Sequence, residues 1–344
     1  MLARKVHTRD HPTVPIFFAL GAELVAWLYI MALMLLIGNA TFFFVVWRRV
    51  NLPIGPVRTA TDEQIRRVVI RTGVFAAVSV LLLLAPRALG VAALLDGQYT
   101  LRSRFVALVL RSEWGLGVAA MLAAALLSLV GYILAHRGIK LGWGLVLAGI
   151  PLVAIGSGLQ GHPSDAFSSM TLAPIFDGLH AIGVGGWLGS FLMLIVAERN
   201  VQAHTASPWT DPLGAILERY FRISGPFAAA VLLSGLFSSA THLTGFDDIQ
   251  GSQYGRLLAG KVGIVLMMMA FNEFHRRHAE RQARTSERSQ LVHTLRFQGG
   301  LIMLVLALTV LLIDAPPPGV NEVRAEVFRS SPKGTLESND VDVP

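Results

Sequence analysis

Residues 161–191 read GHPSDAFSSMTLAPIFDGLHAIGVGGWLGSF. Their second half opens an apolar run that continues through Leu192, Met193, Leu194, Ile195 and Val196 before Glu198 and Arg199 interrupt it. About 20 predominantly apolar residues are the length at which an α-helix crosses the hydrocarbon core of a bilayer. Asp177 and His180 lie within this run, and His162, Asp165 and Met170 lie just ahead of it. Ionisable groups are expensive at such a place and mark function by default. The stretch therefore reads as a membrane helix with a polar mouth.

The same kind of run recurs along the whole chain. Of the 344 residues, 53% are hydrophobic and 15% are charged, whereas a soluble domain carries roughly a quarter charged residues. The runs are too long and too continuous for the alternating strands of a membrane barrel, and lipid permits only helices or closed barrels. The expected fold is all-α, a polytopic membrane bundle of about eight helices over roughly 20–46, 67–86, 113–135, 141–160, 174–197, 222–242, 255–274 and 293–313. Pro86 and Gly90 are expected to end the second helix, and Pro226 to fall in the first turn of the sixth. The first apolar stretch is too long for a signal peptide and no small-residue cleavage site follows it, so it is expected to stay in the mature protein.

Lysine and arginine placement sets the orientation. Arg48, Arg49, Arg58, Arg66 and Arg67 fall in the first loop, Arg137 and Lys140 in the third, Arg199 and Arg219 in the fifth, and Arg276, Arg277, Arg281, Arg284 and Arg288 in the seventh. The fourth (161–173) and sixth (243–254) loops have none. Odd-numbered loops are thus expected to face the cytoplasm and both termini the outside. Arg87, Arg102, Arg104 and Arg111, read as second-loop residues, and Arg4, Lys5 and Arg9 in the N-terminal tail run against this pattern. The net charge of +7 is accounted for by loops that meet anionic lipid, and no nucleic-acid-binding motif accompanies it.

The chain has no cysteine, which excludes disulfides, thiolate metal sites and cysteine nucleophiles. There is no HExxH, no GxSxG, no phosphate-binding loop and no paired carboxylates in a shared cleft. An enzyme is not expected, and any transport should be secondary or passive.

The topology gathers polar residues on the outer side. Pro174 suits the first turn of the fifth helix, where a missing N–H costs nothing. Asp177 lies three residues before His180, on the same face. His242 closes the sixth helix, and Lys261 lies about two turns into the seventh, deep enough to need a partner, for which Asp177 is the candidate. Gly185 with Gly189, and Gly235 with Ser239, have the small-xxx-small spacing that lets membrane helices approach closely. Gly235 and His242 are seven apart and should face one seam. Each residue also has a plainer reading: histidines as polar glue between helices, Met170 as an ordinary loop residue, Met267, Met268 and Met269 as packing, and Lys261 with Asp177 as a structural pair.

The second half of the chain resembles the CopD copper-resistance family of bacterial inner-membrane proteins. The resemblance rests on Gly161–His162, DGLHAIGVGGWLGS (177–190), RIS (222–224), YGRLLAGK (254–261), Asn272 and DAPPP (314–318), and covers roughly residues 160–318. Where that family often carries an acidic residue near the start of the last helix, this chain has Gln298. The chain accordingly divides into residues 1–140, helices without a matched motif, a CopD-like domain over 141–318, and a polar, Pro-rich tail over 319–344 expected to be disordered.

The resemblance implies a multi-pass protein of the bacterial inner membrane that handles copper, in transport or resistance, beside a periplasmic copper-binding protein. Imidazole suits Cu(II), and thioether with imidazole suits Cu(I). The expected metal ligands are His162, His180, His242 and Met170. Asp177 is expected to orient His180 or to pair with Lys261, and the two roles compete. The alternative is an electron-transfer protein with b-type haem held between His180 and His242. A second haem would need a further pair from His136, His275, His278 and His293, which lie mostly at helix ends in Arg-rich loops.

Overall fold

Apolar runs in lipid satisfy their backbone groups internally, and the chain follows that rule throughout. The computed structural model describes residues 16–50, 56–94, 112–161, 172–202, 210–243, 245, 247–284 and 288–315, and among them there is helix and no strand. The helices are α1 (Ile16–Thr41), α2 (Pro56–Leu94), α3 (Glu113–His136), α4 (Leu141–Gly161), α5 (Ala173–Val184), α6 (Ser190–Gln202), α7 (Thr210–His242), a short α8 (Asp247–Gly251), α9 (Gln253–Arg284) and α10 (Arg288–Asp314). A π-helical turn, Gly185–Gly189, joins α5 to α6 in one continuous span, and another, Phe42–Val46, follows α1.

Eight stretches are long and apolar enough to cross a membrane: Gly21–Arg49, Thr59–Leu89, Glu113–His136, Leu141–Gln160, Ala173–Arg199, Ala215–Ala240, Gln253–Arg277 and His293–Ile313. Large apolar side chains face outward along them; Leu82 and Leu236 are each 69% exposed. In water such faces would be interaction sites or aggregation liabilities, whereas in a bilayer they meet acyl chains.

Consecutive helices pack against one another, with α3 against α4, α1 against α2, α4 against α5, α5 against α7, and α7 against α9. Basic residues collect at one end. Arg66 on α2 bonds Glu63 (2.9 Å) and reaches the Ala135 carbonyl at the end of α3 (2.9 Å). Arg219 on α7 donates to the Val45 carbonyl in the π turn after α1 (3.1 Å). The opposite end holds the start of α5 and the ends of α4 and α7.

Three prolines behave differently from the sequence reading or extend it. Pro86 and Gly90 do not end α2, which runs on to Leu94, so Arg87 is a helix residue and not a loop residue. Pro226 lies well inside α7, which starts at Thr210, and Pro151 lies inside α4. A proline removes one backbone bond and crowds the preceding turn, but neighbouring helices make this tolerable in membrane helices. Pro174 sits in the first turn of α5, as its chemistry favours.

The glycine spacing at 183–189 lets neighbouring helices approach closely. A side chain at Gly189 would run into the Met34 carbonyl and Gly38 on α1, and one at Gly185 into Ile37. Gly183 and Gly186 face the other way, toward Val231 and Phe227 on α7. The π turn arises within this glycine run and leaves carbonyls without their usual helical partners. Ser190 Oγ bonds the Gly186 and Trp187 carbonyls, and Tyr220 Oη on α7 donates to Trp187 O (3.1 Å). Trp187, Phe191 and Tyr220 are fully buried around it.

Candidate functional site

His180 projects from α5 toward α7. A side chain added at Gly235 would stand 3.9 Å from His180 Cε1, so the ring passes over that glycine. The rings of Phe176 and Phe237 stack across the same seam at 4.1 Å. The small-xxx-small glycine on α7 therefore makes room for an imidazole between the helices.

The hydrogen bonds fix the tautomer of that imidazole. His180 Nδ1 lies 2.9 Å from Ser234 Oγ. Ser234 Oγ also lies 2.5 Å from the Ala230 carbonyl and 3.2 Å from the Val231 carbonyl. Carbonyls only accept, and a serine has one proton to give. With the serine proton on the backbone, Nδ1–H of His180 is the donor to Oγ, and the ring also interacts with the Val231 backbone. An imidazole oriented through one nitrogen is the arrangement found in metal-binding histidines. Ser234 has no acidic character and no recognisable motif around it, and the sequence reading passed over it. A serine in an apolar helix reads as one that bonds its own backbone at i−4, which Ser234 also does.

Lys261 on α9 is close enough to His180 to act on it electrostatically, so the deep lysine and the histidine belong to one region spanning α5, α7 and α9. Asp177, one turn before His180, is half-buried and engaged in an interaction of its own. His242 ends α7, but its side chain lies outside what the structure describes. His162 and Met170 lie outside the described residues altogether. Among the described residues no three His, Asp or Glu side chains form a group able to hold a metal ion. Of the expected ligands, His180 is thus the one whose surroundings are on view.

A second polar layer lies farther along the bundle. Gln298 on α10 is buried and donates through Nε2 to Asn272 Oδ1 on α9 (2.8 Å). Asn272 also stands beside the Tyr220 hydroxyl, which ties this layer to the π turn. Buried His275 packs against the rings of Phe221, Phe271 and Phe274. Beyond Asn272, at the basic end, a cavity of about 640 Å³ is lined by Glu218, Arg222, Glu273, Arg276 and Arg277 among others. Its charges are largely matched: Arg222 pairs with Glu218, and Arg276 and Arg277 both bond Glu273 at 2.7 Å. Ser224 on the cavity wall and Ser234 beside His180 are about 15 Å apart along α7 at ~1.5 Å per residue, so the two sites are separate.

No curated protein and no solved structure matches the chain. The matched segment begins in α7 and ends in α10, and includes Ser234, His242, Lys261, Asn272 and Gln298, while His162, Met170, Asp177 and His180 precede it. Over residues 214–312 the chain matches the family model of Copper resistance protein D.

Proposed function

We propose that this multi-pass membrane protein moves or sequesters copper in the bacterial inner membrane, gathering it at the end of the bundle where His180 stands. Copper is the substrate. The observation that carries the proposal is the His180–Ser234 bond, which orients the imidazole in a seam between α5 and α7. The copper assignment draws on the match of residues 214–312 to Copper resistance protein D and on the preference of copper for imidazole and thioether donors.

In this reading His162, Met170 and His242, the other ligands expected from the sequence, complete the donor set. Lys261 sets the local field: an ammonium beside a neutral imidazole disfavours a second cation unless a carboxylate balances it. Asp177 is the carboxylate the sequence offers for that balance, either beside His180 or paired with Lys261. Positive-inside reasoning directs this end to the outside, where a periplasmic copper-binding protein would deliver or collect the ion. The protein acts without bond-making chemistry of its own.

The test is cellular copper content in a strain lacking the protein, complemented with the natural chain or with His180→Ala. The natural chain should change copper content and His180→Ala should not. Identical content in all three strains would refute the transport reading.

A further inference from the structure

A separate polar cluster lies at the same end of the bundle, on α1, α2 and α4, away from the α5/α7/α9 seam. Arg87 on α2 holds its guanidinium over the ring of Tyr29 on α1, 5.0 Å from the centroid. Gln160, at the end of α4, lies beside the Tyr29 hydroxyl without reaching hydrogen-bond geometry. Its stem is held against α3, at 3.0 Å from where a Cβ on Gly117 would stand. Tyr29 is 2% exposed. Tyr29 Oη, Arg87 Nε and Gln160 Nε2 are all buried, and among the described residues none has a hydrogen-bond partner.

Buried polar groups are almost always hydrogen-bonded, and a cluster that is not calls for an explanation. Arg87 Nε and Gln160 Nε2 are obligate donors, and the tyrosine hydroxyl can act as a third. The tyrosine hydroxyl could accept from one of the other two, but in this geometry none of the three reaches another, and among the described residues the guanidinium Nε is left without an acceptor. The three are complementary to a ligand that only accepts. A guanidinium within a membrane span also calls for negative charge, and no ion pair of Arg87 is found among the described residues. Arg87 as a whole is half-buried, which leaves an approach from outside the bundle. Planar guanidinium forks fit carboxylate and phosphate oxygens bidentately.

We infer that Arg87, Tyr29 and Gln160 form a binding site for an oxyanion, a phosphate or carboxylate group presented by a soluble ligand or by a lipid headgroup. The site is independent of copper. The tyrosine ring supports the guanidinium from one face, so the charge is positioned before the anion arrives.

The purified full-length protein in maltoside micelles, which carry no oxyanion, gives a clean test. Thermal unfolding is followed while inorganic phosphate or succinate is titrated at fixed ionic strength, and separately while phosphatidylglycerol is added. A saturable rise in Tm is expected in at least one arm. A response to the soluble anions identifies a soluble ligand, and a response to phosphatidylglycerol alone identifies a lipid. Arg87→Met should abolish the rise, and Tyr29→Phe, which preserves shape, should weaken the apparent affinity at least threefold. Arg222→Met, at the opposite end of the bundle, should leave it unchanged. If Arg87→Met does not fold, Tyr29→Phe and Gln160→Leu carry the test. A flat response of the natural protein in every arm, or a response that survives unchanged in these variants, overturns the inference.

Discussion

His180 on α5 and Ser234 on α7 are joined across the seam by a hydrogen bond of 2.9 Å through Nδ1 of the imidazole. Ser234→Ala removes that bond and little else, since its hydroxyl otherwise bonds only its own helix. Loss of a partner that orients a metal-binding histidine typically weakens affinity by about 10–100-fold. Copper affinity measured by competition with a chelator should fall by that factor in Ser234→Ala, while Tm changes little. Unchanged affinity would mean that the bond is structural only.

The approach of Gly189 to Met34 and Gly38 leaves no room for a methyl group, and the obstructing atoms are backbone. Gly189→Ala should lower stability by about 1–3 kcal/mol, the usual range for overpacking. Gly144→Ala on α4 is the control, because nothing stands within 4 Å of its added Cβ. Thermal unfolding in detergent of the two variants separates close packing from a general effect of adding alanine.

Gln298 and Asn272 form a buried pair between α10 and α9. Gln298→Leu strands the Asn272 oxygen and should destabilise by about 1–3 kcal/mol, the typical cost of an unsatisfied buried group. Gln298→Glu places a carboxylate where CopD sequences often have an acid. Asn272 can rotate its amide to donate to it, so this variant should keep more stability than Gln298→Leu. The order of the two Tm values is the measurement.

Without any cysteine, the chain is a ready background for single-cysteine labelling. Ser168→Cys, which falls between α4 and α5 in the sequence, should react with a membrane-impermeant maleimide from the outside of intact cells. Lys140→Cys, between α3 and α4, should react only after the membrane is opened. The reverse pattern would invert the topology and move the His180 end to the cytoplasm.

The spans were legible because hydropathy over about 20 residues is a property of the chain itself, and all eight lie close to their expected places. The close packing at Gly185 and Gly189 was legible from spacing, although not that this pair faces α1 while Gly183 and Gly186 face α7. Helix ends were less so. Pro86 and Pro226 read as boundaries by the rules of isolated helices, but a lipid-embedded bundle supports a helix through them. The partner of His180 was hidden because Ser234 lies 54 residues away and carries no charge. The Arg87–Tyr29–Gln160 cluster was hidden for the same reason: its members come from three helices, and Arg87 read as a loop residue. For His162, His242 and Met170 the residue types themselves, imidazole and thioether, carried the expectation.

Isothermal titration of copper into the purified protein addresses the central claim, with the natural chain compared against His180→Ala and against the combined His162→Ala, His180→Ala and His242→Ala variant. A saturable copper site is expected in the natural chain, weakened by at least about tenfold in His180→Ala and lost in the triple variant. Equal copper affinity in all three would contradict the account.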